Sequence, residues 1–76
     1  MTDPNTVSHG TPDAYREYIH EALWFAQIQA DLGFTYAAIG DDAGLEYAVR
    51  RLVAYTRAAV AVLSDLKAMK GGGHAR

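Results

Sequence analysis

Between Pro12 and Lys70 the apolar residues recur at intervals of three and four, the spacing of one face of an α-helix. In the first half, one face collects Tyr15, Tyr18, Ile19, Ala22, Phe25, Ala26, Leu32, Gly33, Tyr36 and Ala37. In the second half, Leu45, Val49, Leu52, Thr56, Ala59, Leu63 and Leu66 alternate steps of four and three. That is a heptad repeat over about three heptads. Ile, Val and Thr are too scattered for alternating strands. The pattern predicts an all-α chain, with helix 1 over 12–39 and helix 2 over 43–70.

The punctuation agrees. Thr11 offers an N-cap hydroxyl, and Pro12 takes the first helical position, where a missing N–H costs nothing. Asp13 and Glu17 lie in or near the first turn, where the helix dipole favours negative charge. Gly40 suits the left-handed position after a helix, and either Asp41 or Asp42 can cap the next one. A turn as short as 40–43 makes the two helices antiparallel neighbours. Lys67 and Lys70 suit the C-terminal dipole of helix 2. Residues 1–11 read as a flexible polar leader and 71–76 as a flexible Gly-rich tail.

Two small features shape the packing expected of helix 1. Ala22, Ala26, Gly33 and Ala37 form a narrow row of small residues, so Gly33 reads as a place where another helix comes close. The competing reading is a helix break there, because an interior glycine costs roughly 1 kcal/mol against alanine. Gln29 lies in the middle of the apolar face, near the level of residues 54–56 of helix 2, which puts a Gln29–Thr56 hydrogen bond within reach; an amide that reaches the edge of the interface is the equal alternative. A buried polar residue of this kind can fix register and oligomeric state.

The apolar surface exceeds what a hairpin alone can cover. On helix 2, Ala48, Tyr55 and Val62 flank the heptad seam on one side, and Val53 and Val60 on the other. Together these residues span about half the circumference, wider than the ~100° stripe of a surface helix. Helix 1 leaves over Leu23 and Phe34 on one side and Trp24, Ile28 and Ile39 on another. Large exposed apolar patches usually mark interaction sites. The expected architecture is therefore an antiparallel hairpin that dimerises into a four-helix bundle. Its interface is expected to use Leu45, Val49, Leu52, Val53, Tyr55, Val60, Leu63, Leu66, Trp24, Ile28 and Gln29. The partner is a second copy or another helical protein.

Composition narrows the function. With 76 residues the chain is one domain, and a monomer of that size has a marginal core. There is no cysteine, so disulfides and thiolate metal sites are excluded, and a cytoplasmic setting is expected. The uncharged stretch 58–64 is far short of the ~20 residues needed to span a bilayer, and no signal-peptide layout is visible. The net charge of −2 argues against a general nucleic-acid binder. Arg50, Arg51 and Arg57 make a small basic group without aromatic interleaving, and ordinary surface charge near Glu46, Asp41 and Asp42 is the simpler reading, so neither nucleic acid nor a membrane is an expected partner.

Candidate chemistry is thin. Glu17-x-x-His20, followed by Glu21, resembles one half of the carboxylate–histidine pattern of ferritin-like di-iron bundles. Asp65 falls near the level of Glu17 when residues are counted outward from the turn, so Glu17, His20 and Asp65 are candidate metal ligands. Helix 2 has no second Glu-x-x-His, and Glu46 lies at the opposite end. A solvated charged face is the simpler reading, so no cofactor and no metal is expected. His9, His20 and His74 are scattered, and Ser8-His9 and Ser64-Asp65 assemble no nucleophile–base pair, so no enzymatic activity is expected.

Leu32-Gly33, Tyr36 and Gly40-Asp41, followed after a one-residue shortening by Gly44-Leu45-Glu46-Tyr47, resemble the first helix, turn and second-helix start of a tetratricopeptide repeat. The resemblance covers about a quarter of the chain. It implies close packing of two antiparallel helices at the turn. Helix 2 is about twice as long as the repeat's second helix, the terminal proline is absent and no second repeat follows, so the family is not assigned. The function expected from the whole chain is a non-enzymatic helical interaction or oligomerisation module. A metal-binding half-bundle is the alternative.

Overall fold

The computed structural model describes residues 11–71; of the expected leader over 1–11 and tail over 71–76, residues 1–10 and 72–76 lie outside them, while Thr11 caps the first helix and Gly71 still belongs to the second. Two helices make up the fold: α1, Pro12–Ile39, and α2, Asp42–Gly71. They run antiparallel along their length as a hairpin, joined by only two residues.

The ends are fixed by backbone hydrogen bonding. Thr11 is extended, with φ −103° and ψ 144°, and its Oγ1 accepts from the Ala14 N–H at 3.1 Å. This satisfies one of the amides that a helix start leaves unpaired. At the other end Gly40 has φ 76°, the left-handed conformation glycine adopts without a Cβ penalty. The Gly40 N–H donates to the Ala37 carbonyl, and the Asp41 N–H donates to the Tyr36 carbonyl at 2.9 Å. That pair of bonds is a Schellman motif.

Asp41 also starts α2. Its Oδ1 accepts from the Gly44 N–H at 2.9 Å, and its carbonyl accepts from the Leu45 N–H. One residue thus closes the first helix and caps the second. Because Asp41 is the cap, α2 begins at Asp42, one residue before the expected start.

The helices meet through small side chains. Ala22, Ala26 and Gly33 of α1 and Ala48 and Ala59 of α2 are buried. Around them stand half-buried Tyr15, Ile19, Phe25, Gln29 and Tyr36 on α1, and Leu45, Leu52, Tyr55, Val62, Leu66 and Met69 on α2. Gly33 lies opposite Ala48, Gly44 opposite Tyr36, and the Phe25 ring stacks on Tyr55 with centroids 5.2 Å apart. These pairs fix the register. Ala37, expected in the small-residue row, is exposed, because drift of the stripe around the helix turns it away from α2 near the turn.

The seam of α2 is rotated from the expected one. Leu45, Leu52, Ala59 and Leu66 face α1 as the heptad pattern implies. Between them stand Ala48, Tyr55, Val62 and Met69, not Val49, Thr56 and Leu63. Val49 and Leu63 are exposed. Both sets keep alternating steps of three and four. What selects between them is fit: Ala48 is small enough for the approach at Gly33, and Tyr55 finds the Phe25 ring.

Candidate functional site

The exposed apolar surface is the main candidate. No large side chain is fully buried, while Tyr18, Leu23, Trp24, Leu32, Phe34, Ile39, Tyr47, Val49, Val53, Val60 and Leu63 are exposed among the described residues. They do not scatter evenly. At about 100° per residue, Leu23, Gln27, Ala30, Phe34 and Ala37 form a second stripe on α1, one step around from the hairpin seam. Val49, Val53, Thr56, Val60 and Leu63 form the matching stripe on α2. By the same rotation both stripes turn to one side of the hairpin, where His20, Leu23, Trp24, Ala26, Gln27 and Ala30 of α1 and Leu52 of α2 line a groove of about 510 Å³. Phe34 is the most exposed of the set at 79%, followed by Val60 at 64%.

The opposite side of the hairpin is aromatic and charged. Tyr18, Glu21, Ala22, Phe25, Tyr55 and Ala58 line a smaller depression there. Arg51 lies 5.5 Å from the Tyr47 ring centroid and 5.4 Å from that of Tyr55, and its Nη2 donates to the Tyr55 hydroxyl at 2.7 Å. The guanidinium therefore serves to hold Tyr47 and Tyr55 in place. Arg50 donates to Glu46 at 2.8 Å. It lines a depression with Val49, Val53, Ala54 and Arg57. Arg51 thus faces one side and Arg50 and Arg57 another, so the three do not form one basic patch.

The residues expected at the interface divide into two groups. Leu45, Leu52, Tyr55, Leu66 and Gln29 are taken up, half-buried, in the seam between α1 and α2. Val49, Val53, Val60 and Leu63 are exposed on the second stripe, and Trp24 is exposed on α1, where it lines the same groove as Leu23, while Ile28 is half-buried. Trp24 packs against its neighbour Phe25, with centroids 5.0 Å apart.

Gln29 does not bond Thr56. The Thr56 hydroxyl is held by its own helix, within 3.0 Å of the Leu52 and Val53 carbonyls. The register places Gln29 opposite Leu52 instead, and its Oε1 is buried with no hydrogen-bond partner. The expected pairing was about one helical turn out. A β-hydroxyl in a helix readily bonds a carbonyl three or four residues back, which removes it from cross-helix use.

Glu17, His20, Glu21 and Trp24 line one shallow depression on the exposed side of α1, and Asp65 is not part of it. Among the described residues, no three His, Asp or Glu side chains come together as a metal would require. No helix is long and apolar enough to cross a membrane among those residues. Comparison with known proteins returned no matching family model, no matching curated protein and no matching solved structure.

Proposed function

We propose that this chain is a non-enzymatic helical interaction module, which covers its exposed apolar stripe with another helical surface. One observation carries the reading: among the described residues the hairpin buries only alanine and glycine, and leaves eleven large apolar side chains exposed, with Leu23, Phe34, Val49, Val53, Val60 and Leu63 gathered on one side. A scattered exposed leucine is ordinary, but a continuous apolar stripe along both helices is a docking surface. The partner is helical, because a surface of two parallel seams with heptad spacing takes knobs from other helices. A cytoplasmic setting belongs to the proposal and rests on the absence of cysteine.

The test uses the purified full chain at micromolar concentration. Sedimentation gives its mass, and a dye that fluoresces on apolar protein surface gives its exposed stripe. A mass above that of one chain supports the reading, as does a monomer that binds the dye strongly. A dye-silent monomer with a cooperative melt independent of concentration overturns it.

A further inference from the structure

The occupant of the stripe follows from its own geometry. We infer that it is a second copy of this chain, docked face to face with the two-fold axis running along the bundle. Each α1 stripe then lies against the α2 stripe of the other copy. This inference rests on the interaction-module reading and adds the partner and the pairing.

Three observations point to a second copy. The first is the number of seams. A helix in a four-helix bundle touches two neighbours and needs two adjacent stripes. Both helices here carry two, and the hairpin uses one of each. The second stripe of α1 steps 23, 27, 30, 34, 37 and that of α2 steps 49, 53, 56, 60, 63, both with alternating fours and threes. Two further helices with the same spacing would fill them, and a second copy supplies two.

The second observation is charge. No charged residue stands in either stripe: the side chains are Leu23, Gln27, Ala30, Phe34 and Ala37, against Val49, Val53, Thr56, Val60 and Leu63. Two copies therefore meet over the middle of this face without confronting like charges, while at its end the same spacing brings Arg16 level with Lys67 of the second copy. The other side carries Glu21, Arg51 and Asp65, whose charges would lose water on burial.

The third is area. The exposed fractions of Leu23, Phe34, Val49, Val53, Val60 and Leu63 amount to roughly 600 Å² of apolar surface per chain. The alanines of the groove add to it. A standard stable interface buries about 800 Å² per partner.

The register then selects the axis. Gly33 opposite Ala48 and Phe25 opposite Tyr55 place Phe34 level with Val49, Ala30 with Val53, Gln27 with Thr56 and Leu23 with Val60, each within about one helical turn. An axis along the bundle preserves these levels between copies. Apolar then meets apolar, and the Gln27 amide meets the Thr56 hydroxyl of the second copy. That oxygen, already donating to its own helix, still accepts. An axis across the bundle instead sets α1 on α1 and carries Phe34 to the charged end near His20 and Arg16. It also carries Leu63 to Glu46.

Because the chain has no cysteine, single engineered thiols report the pairing without background. Phe34→Cys, Val49→Cys and Val60→Cys chains are made separately. They are unfolded and refolded together in pairs, then treated with a short bis-maleimide. The axis along the bundle predicts cross-linking of the Phe34→Cys and Val49→Cys pair several-fold above either variant alone. Dominant cross-linking of the Val49→Cys and Val60→Cys pair is the signature of the crossed axis and overturns the pairing. Val53→Glu is expected to convert the dimer to a monomer that keeps its helical circular dichroism. If that variant unfolds, the cross-linking pattern still decides. A wild-type chain that is dimeric, with cysteine variants that cross-link in neither pair, overturns the face. A wild-type monomer that binds the apolar dye overturns the second copy and leaves the interaction module standing. A dye-silent monomer overturns both.

Discussion

A methyl group added at Gly33 would meet the Ala48 Cβ at 3.5 Å and Leu45 Cδ1 at 3.9 Å, ordinary van der Waals distances. The helices approach closely there, yet not so closely that only glycine fits. Gly33→Ala should therefore stabilise the chain by up to ~1 kcal/mol, the helix-propensity gain, read as a higher melting temperature. A fall in melting temperature would show that the two helices are closer than 3.5 Å implies. Gly44 is the reverse case. Its Cβ would stand 2.7–2.9 Å from three carbons of the Tyr36 ring, including Cγ, so the whole ring must move. Gly44→Ala should cost about 1–3 kcal/mol by overpacking, measured by denaturant melt. Nothing in the spacing of the sequence separates these two glycines, because each lies in a helix. The tetratricopeptide-like stretch held both, and only the interhelical distance distinguishes them. Gln29 belongs at this scale too. A buried carbonyl oxygen without a partner costs about 1–3 kcal/mol, so Gln29→Leu should raise stability measurably.

At the scale of the helices, the two ends and the facing stripe behave differently with respect to what the sequence discloses. The ends were legible because capping is local chemistry. Thr11, Pro12, Gly40 and Asp41 act within four residues of themselves. Asp41→Ala removes the acceptor for the Gly44 N–H and should cost about 1 kcal/mol, which equilibrium urea unfolding would resolve. The stripe of α2 was legible only in part. Leu45, Leu52, Ala59 and Leu66 belong to both possible heptads, but the choice between the Val49 flank and the Ala48 flank depends on what α1 offers opposite. Periodicity contains no such information. On α1 the row Ala22, Ala26 and Gly33 does face α2, so size matters there. Ala26→Leu should destabilise by about 1–3 kcal/mol. On a chain this short that lowers the melting temperature by several degrees, at ~4–8 °C per kcal/mol. Ala61→Leu, on an exposed position of α2, is the control and should be nearly silent. Equal losses from the two would put the wrong side of α1 against α2.

For the whole molecule the question is what finishes the core. A hairpin whose buried residues, among those described, are four alanines and a glycine gains little from burial, since each contributes at most a methyl group. The half-buried flanks add to this, but each keeps part of its apolar surface in water. Against this stands the conformational entropy of ordering two helices of 28 and 30 residues. Short chains commonly resolve such an imbalance by disulfides, metals or association. Here cysteine is absent, no metal-holding group forms among the described residues, and an uncharged double stripe is open. Under the proposed pairing folding and association are one event, and the stability should depend on concentration. For two chains that unfold as they separate, a hundredfold rise in concentration stabilises the folded dimer by about 2.7 kcal/mol. Shared between the chains and converted at ~4–8 °C per kcal/mol, this raises the melting temperature by roughly 5–10 °C. Melts followed by circular dichroism at 1 and 100 μM chain should show that shift. Val53→Glu, which places a charge in the stripe, should flatten the dependence and lower both midpoints. Coincident wild-type melts at the two concentrations would mean that the hairpin holds itself together. The half-buried ring and leucine contacts between α1 and α2 would then carry far more of the stability than their exposure implies.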